Sequence, residues 1–305
     1  MRSKFGKNIG VAIAKKSINV KKICEKKFGI KKTLEIINRT GPTKIFQCEK
    51  DEDTLTLSLK AWFNFKRKNK NVQIKDIKNL IYVTETNRLS FPGNGYLFSS
   101  MINLNKEVNI YDLNSGCTGF VDALKIAGKL NGDTLIVCSE TYSKNIPYFQ
   151  RSISTLFSDG ASIFLFRNKH FSILDTISIF KKNSFLDLSC SKNKINMDGK
   201  KVFDFVVSYV LPKIENFLKK NKKIKIIFFH QASKVVCDYI KKKFRDKKII
   251  IPFNLMLRGN TVSATIPILI NDYTKNTNLK INDKILLVGF GVGLTMTAII
   301  LKLKN

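Results

Sequence analysis

The sequence predicts an α/β protein built in layers from two halves that meet near residue 170. Three observations predict it. Short apolar runs alternate with helix-length patterns in both halves, the arrangement of strands alternating with helices. At 305 residues and 44% hydrophobic composition, the chain can bury a full core. The boundary at 168–175 has no Pro/Gly linker, so residues 1–170 and 171–305 are expected to pack as one unit. The alternation also argues for mostly parallel strands.

The elements follow in order. An apolar segment occupies 8–18, and TLTLSLKAWFNF at 54–65 reads as a helix. Residues 77–84 carry a strand pattern. A helix is expected over 92–104, after Pro92-Gly93, and a strand over 108–113. DTLIVCS at 133–139 and residues 162–167 are buried strand runs. The second half is expected to hold a helix over 199–220, a strand at 224–229, helices over 232–244 and 261–273, and two final strands. Ile285 to Leu301 runs for 17 residues without a charge, the short limit of a membrane-spanning helix. Gly289, Gly291 and Gly293 interrupt its centre, which fits two buried strands joined by a glycine turn better. Only 12 residues remain after Gly293, too few for the crossover helix and strand of a dinucleotide site.

Composition narrows the function. Six cysteines are scattered without a CxxC pair, which speaks against a zinc site or a disulfide frame and fits a reducing cytoplasm. With two histidines, little is left for metal chemistry. The N-terminal MRSKFGKNIGVAIAKK has no apolar stretch of signal-peptide length. The net charge of +31 is spread along the chain with Asn and Ile, as in KRKNKN at 66–71. Specific nucleic-acid binding would call for basic clusters interleaved with exposed aromatics, and none is seen. A basic face would instead steer an acidic partner in a salt-sensitive way.

Three segments carry candidate chemistry. In YDLNSGCTGFVDAL (111–124) an apolar run ends in a turn, a cysteine follows, and a helical pattern begins. A helix N-terminus favours a thiolate at Cys117, and a thiolate attacks activated acyl groups. The alternative is a small buried apolar residue. In KIIFFHQAS (225–233), His230 closes a buried strand run, as part of a site or as a structural histidine. In RGNTVSA (258–264), Asn260 is a site residue or a turn former.

Taken together, SGCTGF around Cys117, HQAS at His230 and GNTVSA at Asn260 resemble the Cys-His-Asn site of the β-ketoacyl-ACP synthase III group of condensing enzymes, on the thiolase fold. FSDGA (157–161), NMDGKKVF (196–203), GFGVGLT (289–295) and RTG (39–41) are similar to further motifs of that family and occur in its order. The resemblance implies a duplicated thiolase-like fold, layered α-β-α-β-α with two mixed sheets. It also implies a cytoplasmic acyltransferase of fatty acid biosynthesis. Cys117 would take an acyl group from an acyl thioester, and a decarboxylative Claisen condensation with malonyl-ACP would follow. His230 and Asn260 would donate hydrogen bonds to the malonyl thioester carbonyl. The backbone N–H groups of Cys117 and Val292 would form the oxyanion hole. Met197, Val202 and Phe203 would line the pantetheine tunnel, Phe157 and Phe290 the acyl pocket, and Arg39 and Arg151 would hold a phosphate. Phe91 would reach into the partner subunit of a homodimer. Acyl-CoA or acyl-ACP would be substrates, no cofactor is implied, and acyl carrier protein is the expected protein partner.

Departures from the pattern bear on the donor. Glu35 stands where the family carries a tryptophan that stacks on adenine, and it would repel phosphates. Pro42-Thr43-Lys44 replaces a segment that holds an arginine, and Ser233-Lys234-Val235 follows HQA where Asn and a basic residue are usual. These departures favour an acyl group brought by carrier protein over acetyl-CoA. Two other readings stay open at this point: transfer of the acyl group to an alcohol or amine, and a basic nucleic-acid- or membrane-binding module without catalysis.

Overall fold

The computed structural model describes residues 5–146, 149–191 and 194–304. In chain order the strands are β1 (Ile9–Ile13), β2 (Lys16–Asn19), β3 (Lys44–Gln47), β4 (Ile77–Val83), β5 (Asn109–Leu113), β6 (Asp133–Glu140), β7 (Gly160–Phe166), β8 (Phe171–Phe180), β9 (Leu188–Ser191), β10 (Lys194–Met197), β11 (Ile224–Phe229), β12 (Lys284–Gly291) and β13 (Thr295–Leu303). The helices are α1 (Val20–Thr40), α2 (Thr54–Lys68), α3 (Asn94–Met101), α4 (Gly119–Ala127), α5 (Arg151–Ser154), α6 (Gly199–Phe205), α7 (Leu211–Lys220), α8 (Lys234–Lys243), α9 (Leu255–Arg258) and α10 (Thr265–Asn276).

Two sheets organise the chain. One has the order β1-β7-β6-β4-β5 and the other β11-β12-β13-β8, with β2/β3 and β9/β10 as separate hairpins. The expectation of mostly parallel strands is corrected here. Within the two large sheets only β4/β5, β4/β6 and β11/β12 are parallel, whereas β1/β7, β6/β7, β12/β13 and β13/β8 are antiparallel. Connection length explains part of this. Only Val292–Leu294 separate β12 from β13, and a parallel crossover needs a dozen residues or more. The charge-free run at 285–301 is therefore this antiparallel pair, and among the described residues no helix is long and apolar enough to cross a membrane.

Packing gives five layers. Phe120 and Leu124 of α4 and Ile266 and Leu269 of α10 fill the space between the sheets, against Ile81, Ile136, Leu287 and Ile299. Leu57, Trp62 and Phe65 of α2 and Phe98 of α3 cover the outer face of the first sheet. Phe205, Ile214, Val236 and Ile240 cover the outer face of the second. The expected helix over 199–220 is one rod, in which a π turn at Val206–Val210 joins α6 to α7. Its apolar stripe packs on Ile227, Phe229 and Leu286.

Helix α1 was not legible in the sequence. Its lysines blur the apolar stripe, and Gly29 breaks it with φ 75° and ψ 172°. Asn19 caps its start by accepting from the Lys22 N–H at 2.9 Å, and Cys24, Ile36 and Thr40 are buried beneath it. Its C-terminal turns lie beside the candidate site.

Candidate active site

Two parallel strand ends and one tight turn assemble the site. Strand β5 ends at Leu113, and Cys117 lies four residues on, in a 3₁₀ turn (Gly116–Thr118) that leads into α4. The second sheet brings its backbone onto the cysteine. A Cβ on Gly291 would sit 2.8 Å from Cys117 Sγ, and one on Gly289 would sit 2.8 Å from the Cys117 carbonyl oxygen. Only glycine permits this approach, which lets the Val292 backbone N–H hydrogen-bond the thiol. Cys117 is itself almost fully buried.

The expected thiolate is corrected by this burial. Desolvation first, and then the neighbouring Glu85 carboxyl, hold the thiol well above its ordinary range; the Val292 amide opposes them only in part. The regular helix starts at Gly119, so Cys117 stands before its first turn. At rest the residue is a neutral thiol.

His230 follows β11, and its backbone N–H donates to the Val288 carbonyl of β12 at 2.8 Å. Its imidazole is buried, and desolvation pulls its pKa down to about 3. The ring is therefore neutral at physiological pH. Nε2 lies 3.5 Å from Asn260 Nδ2, while the buried Nδ1 has no hydrogen-bond partner among the described residues. A buried N–H without an acceptor is costly, so the proton belongs on Nε2. Asn260 is oriented to match. Its Oδ1 accepts from the Val262 N–H at 2.9 Å and from Thr265 Oγ1 at 3.3 Å, which leaves its NH₂ beside the imidazole. Two donors thus stand side by side, able to share one acceptor.

Neighbouring segments hold this pair rigid. Asn260 N donates to the Leu156 carbonyl at 2.9 Å, and its carbonyl accepts from Ser158 N at 2.8 Å, so Asn260 and Phe157 are fixed together. Gln231, a buried neighbour of His230, accepts from the N–H groups of Asn254 (2.7 Å) and Leu255 (2.9 Å) and donates to Asn254 Oδ1 (2.7 Å). It anchors the α9 turn that leads to Asn260. Sequence reasoning passed over Gln231; its signal was a second polar residue at the end of a buried strand.

Cys117, His230 and Asn260 line one cavity of about 480 Å³. Phe157, Met197, Phe203 and Phe290 also line it, as the sequence suggested, and the Phe290 ring meets the His230 ring edge-on at 5.5 Å. Arg39 and Arg151 lie at its opening with Lys32, Glu35 and Lys200, all solvent-exposed. The expected repulsion of phosphates by Glu35 is offset, because Lys32 Nζ sits 2.5 Å from its carboxylate and holds its pKa below the usual range. Phe91 does not line this cavity; it stands on the surface, 85% exposed. Among the described residues no three His, Cys, Asp or Glu side chains cluster as a metal site would require.

A buried thiol beside a neutral imidazole and a carboxamide, at the junction of two sheets that enclose paired helices, defines a thiolase-like active-site architecture. Comparison with known proteins gives the family. Residues 111–179 match the family described as 3-oxoacyl-[acyl-carrier-protein (ACP)] synthase III, and residues 218–303 match its C-terminal counterpart. The β-ketoacyl-[acyl-carrier-protein] synthase III of Clostridium botulinum (strain Hall) is 32% identical over 259 residues, covering 75% of this chain and 78% of that protein. That of Clostridium novyi (strain NT) is 29% identical over 288 residues, covering 86% and 88%. The crystal structure of 3-oxoacyl-[acyl-carrier-protein] synthase III from Aquifex aeolicus VF5 superposes with a TM-score of 0.83 at 24% identity, covering 97% of this chain and 98% of that one, a likeness of fold. The chain belongs to the β-ketoacyl-[acyl-carrier-protein] synthase III family, which are condensing enzymes of transferase type.

Proposed function

We propose that the protein joins an acyl group to a malonyl thioester in two half-reactions at Cys117. The observation that carries this reading is the pair of donors, His230 Nε2 and Asn260 Nδ2, 3.5 Å apart in the cavity that holds the thiol. In the first half-reaction the Cys117 sulfur attacks an acyl thioester. The carrier thiol leaves with the cysteine proton, and an acyl-enzyme remains. In the second, a malonyl thioester places its thioester carbonyl against His230 and Asn260. Loss of CO₂ leaves an enolate whose oxygen carries negative charge, so two fixed donors there stabilise the transition state more than the ground state. The enolate carbon attacks the acyl carbon. The tetrahedral oxygen is held by the backbone N–H groups of Cys117 and Val292, and collapse releases the β-ketoacyl thioester and the Cys117 thiolate, which takes up one proton from solvent to regenerate the thiol. A neutral imidazole suits this role, because the donor needs no proton exchange with solvent.

The opening supports delivery by a carrier protein. Lys32, Arg39, Arg151 and Lys200 surround it. Such a face attracts an acidic partner and a pantetheine phosphate. Glu35, paired with Lys32, stands in the sequence where the family carries its adenine-stacking tryptophan and cannot stack, which favours carrier-bound acyl donors over coenzyme A. Assembly as a homodimer is supported by β5, an edge strand with Tyr111 on its exposed face, and by the exposed apolar side chains Phe91 and Tyr96.

Intact-mass spectrometry with acyl-CoA and acyl-carrier-protein donors tests the reading. Acylation of Cys117 that is discharged by malonyl-carrier protein, with release of a β-ketoacyl product, is expected. Acylation that malonyl thioester never discharges but an alcohol or amine does would replace condensation by acyl transfer to that acceptor.

A further inference from the structure

Helix α1 carries seven basic residues against two acidic ones, and neither half-reaction uses its centre. There Lys26 to Lys32 reads KKFGIKK, two lysine pairs around Phe28 and Ile30, and all seven residues are exposed. Gly29 makes a corner. Its φ of 75° and ψ of 172° turn the chain out of the helix for one residue, and a Cβ there would meet no atom within 4 Å. The segment is a convex tip, and it is firmly seated. The buried Thr33 hydroxyl donates to the Gly29 carbonyl at 2.8 Å. The Phe28 ring lies 5.8 Å from that of Phe149, and Lys27 Nζ sits 5.0 Å from the centre of the Phe149 ring. Ile30 is 69% exposed, and Leu34, one turn on, is 52% exposed. Glu25 pairs with Lys21 at 3.7 Å and Glu35 with Lys32; among the described residues no acidic group pairs with Lys26, Lys27 or Lys31.

We propose that this corner docks the enzyme on an anionic phospholipid bilayer, with Phe28 and Ile30 sunk among the headgroups and Lys26, Lys27 and Lys31 on the lipid phosphates. Shape and charge select a lipid surface over a folded protein. A convex tip buries little area against a folded partner, whereas a stable protein interface takes about 800 Å² on each side. A bilayer yields around the tip. Lysine pairs on both flanks of the apolar residues match a surface that is negative in every direction. An apolar insertion or a basic patch alone holds a protein weakly on a membrane, and the two together hold it stably. The net charge of +31, spread along the chain, draws the whole molecule toward the same surface. Lys32 and Glu35 at the cavity opening follow the corner directly, so docking sets that opening near the bilayer. The proposal goes beyond the condensing reading and does not depend on it.

The test is co-sedimentation of the full chain with vesicles of phosphatidylcholine alone and of phosphatidylcholine with about one third phosphatidylglycerol, at physiological salt. Binding to the anionic vesicles is expected to be at least about tenfold tighter than to the neutral ones. Ile30→Ser keeps every charge and should weaken that binding about fivefold. Lys26→Gln, Lys27→Gln and Lys31→Gln together should weaken it about 10²-fold. The same exchange at Lys219, Lys220 and Lys222, the exposed basic end of α7, should change it by less than about threefold. In Ile30→Trp, emission should move to the blue when anionic vesicles are added. Ile30 is exposed, so its variants are expected to keep the fold and, without vesicles, the wild-type rate of condensation. Absence of binding to anionic vesicles overturns the proposal. Binding that Ile30→Ser leaves intact, or that the α1 and α7 lysines support equally, is adsorption by diffuse charge and overturns it too. If Ile30→Ser weakens capture of acyl carrier protein and leaves vesicle binding unchanged, the corner belongs to a protein partner and the proposal falls.

Discussion

The floor of the cavity and its opening are built on opposite principles. At the floor, Cys117, His230 and Asn260 are buried and held mainly by backbone: the glycine approach of β12, the His230 N–H on Val288, and the bridge between Asn260 and Phe157. At the opening, Lys32, Arg39, Arg151 and Lys200 are solvated side chains on α1, α5 and α6. The floor therefore has one geometry, and small displacements there are costly. The opening offers charge without fixed geometry, which suits a partner that varies or docks briefly. Chemistry is placed where the fold cannot yield, and recognition where it can.

The largest expected effect breaks the floor outright. Cys117→Ala should abolish acylation, with a loss of at least about 10³-fold in condensation, read by intact mass and by product formation. Residual acylation at the wild-type rate would show that another residue is the nucleophile. Gly291→Ala comes next. Its Cβ must displace either the sulfur or the turn, and a loss of about 10²-fold in acylation with a folded protein is expected. Wild-type activity in that variant would mean that the turn can yield and that the floor is no more rigid than the opening.

Smaller effects sharpen the comparison. Gln231→Ala strips two backbone N–H groups of their acceptor, so a stability loss of about 1–3 kcal/mol by denaturant unfolding is expected, with weakened condensation. The pH dependence of stability has a definite sign at His230. Its folded pKa, about 3, lies below the ordinary value of 6.5, so the unfolded chain binds the extra proton. The contribution of the neutral ring is complete above pH 6.5 and is lost as pH falls toward 3. Replacing His230 by Gln should flatten that part of the stability curve; an unchanged slope between those limits would show that the ring is more solvated than its burial implies. At the opening, Arg39→Ala should raise KM for a carrier-protein substrate by about three- to tenfold with little change in kcat, and added salt should erase the difference. A salt-independent loss of kcat would place Arg39 in the chemistry.

How much was legible in advance varied with the physics behind each feature. Period and breakers marked β4, β6 and the β12–β13 pair, because a strand buried on both faces is written as a continuous apolar run and a tight turn as glycine. Helix α1 was missed because its stability comes from one buried stripe (Cys24, Ile36, Thr40) that many lysines and Gly29 obscure. Cys117, His230 and Asn260 were visible as residue types in motif settings, and Gln231 was not, because its role is to hold a loop that the sequence places more than twenty residues away.

By itself the sequence determined the alternation of strands and helices, the residues able to form the site, and the short turn at 292–294, all of which depend on neighbours along the chain. The tertiary structure decided the strand directions, the protonation of Cys117 and His230, and the meeting of His230 with Asn260 in the cavity that holds the thiol. Those depend on burial and on contacts between distant segments. A thiol expected to ionise beside a helix end stays neutral once the second sheet closes over it and removes the water that would have solvated its charge.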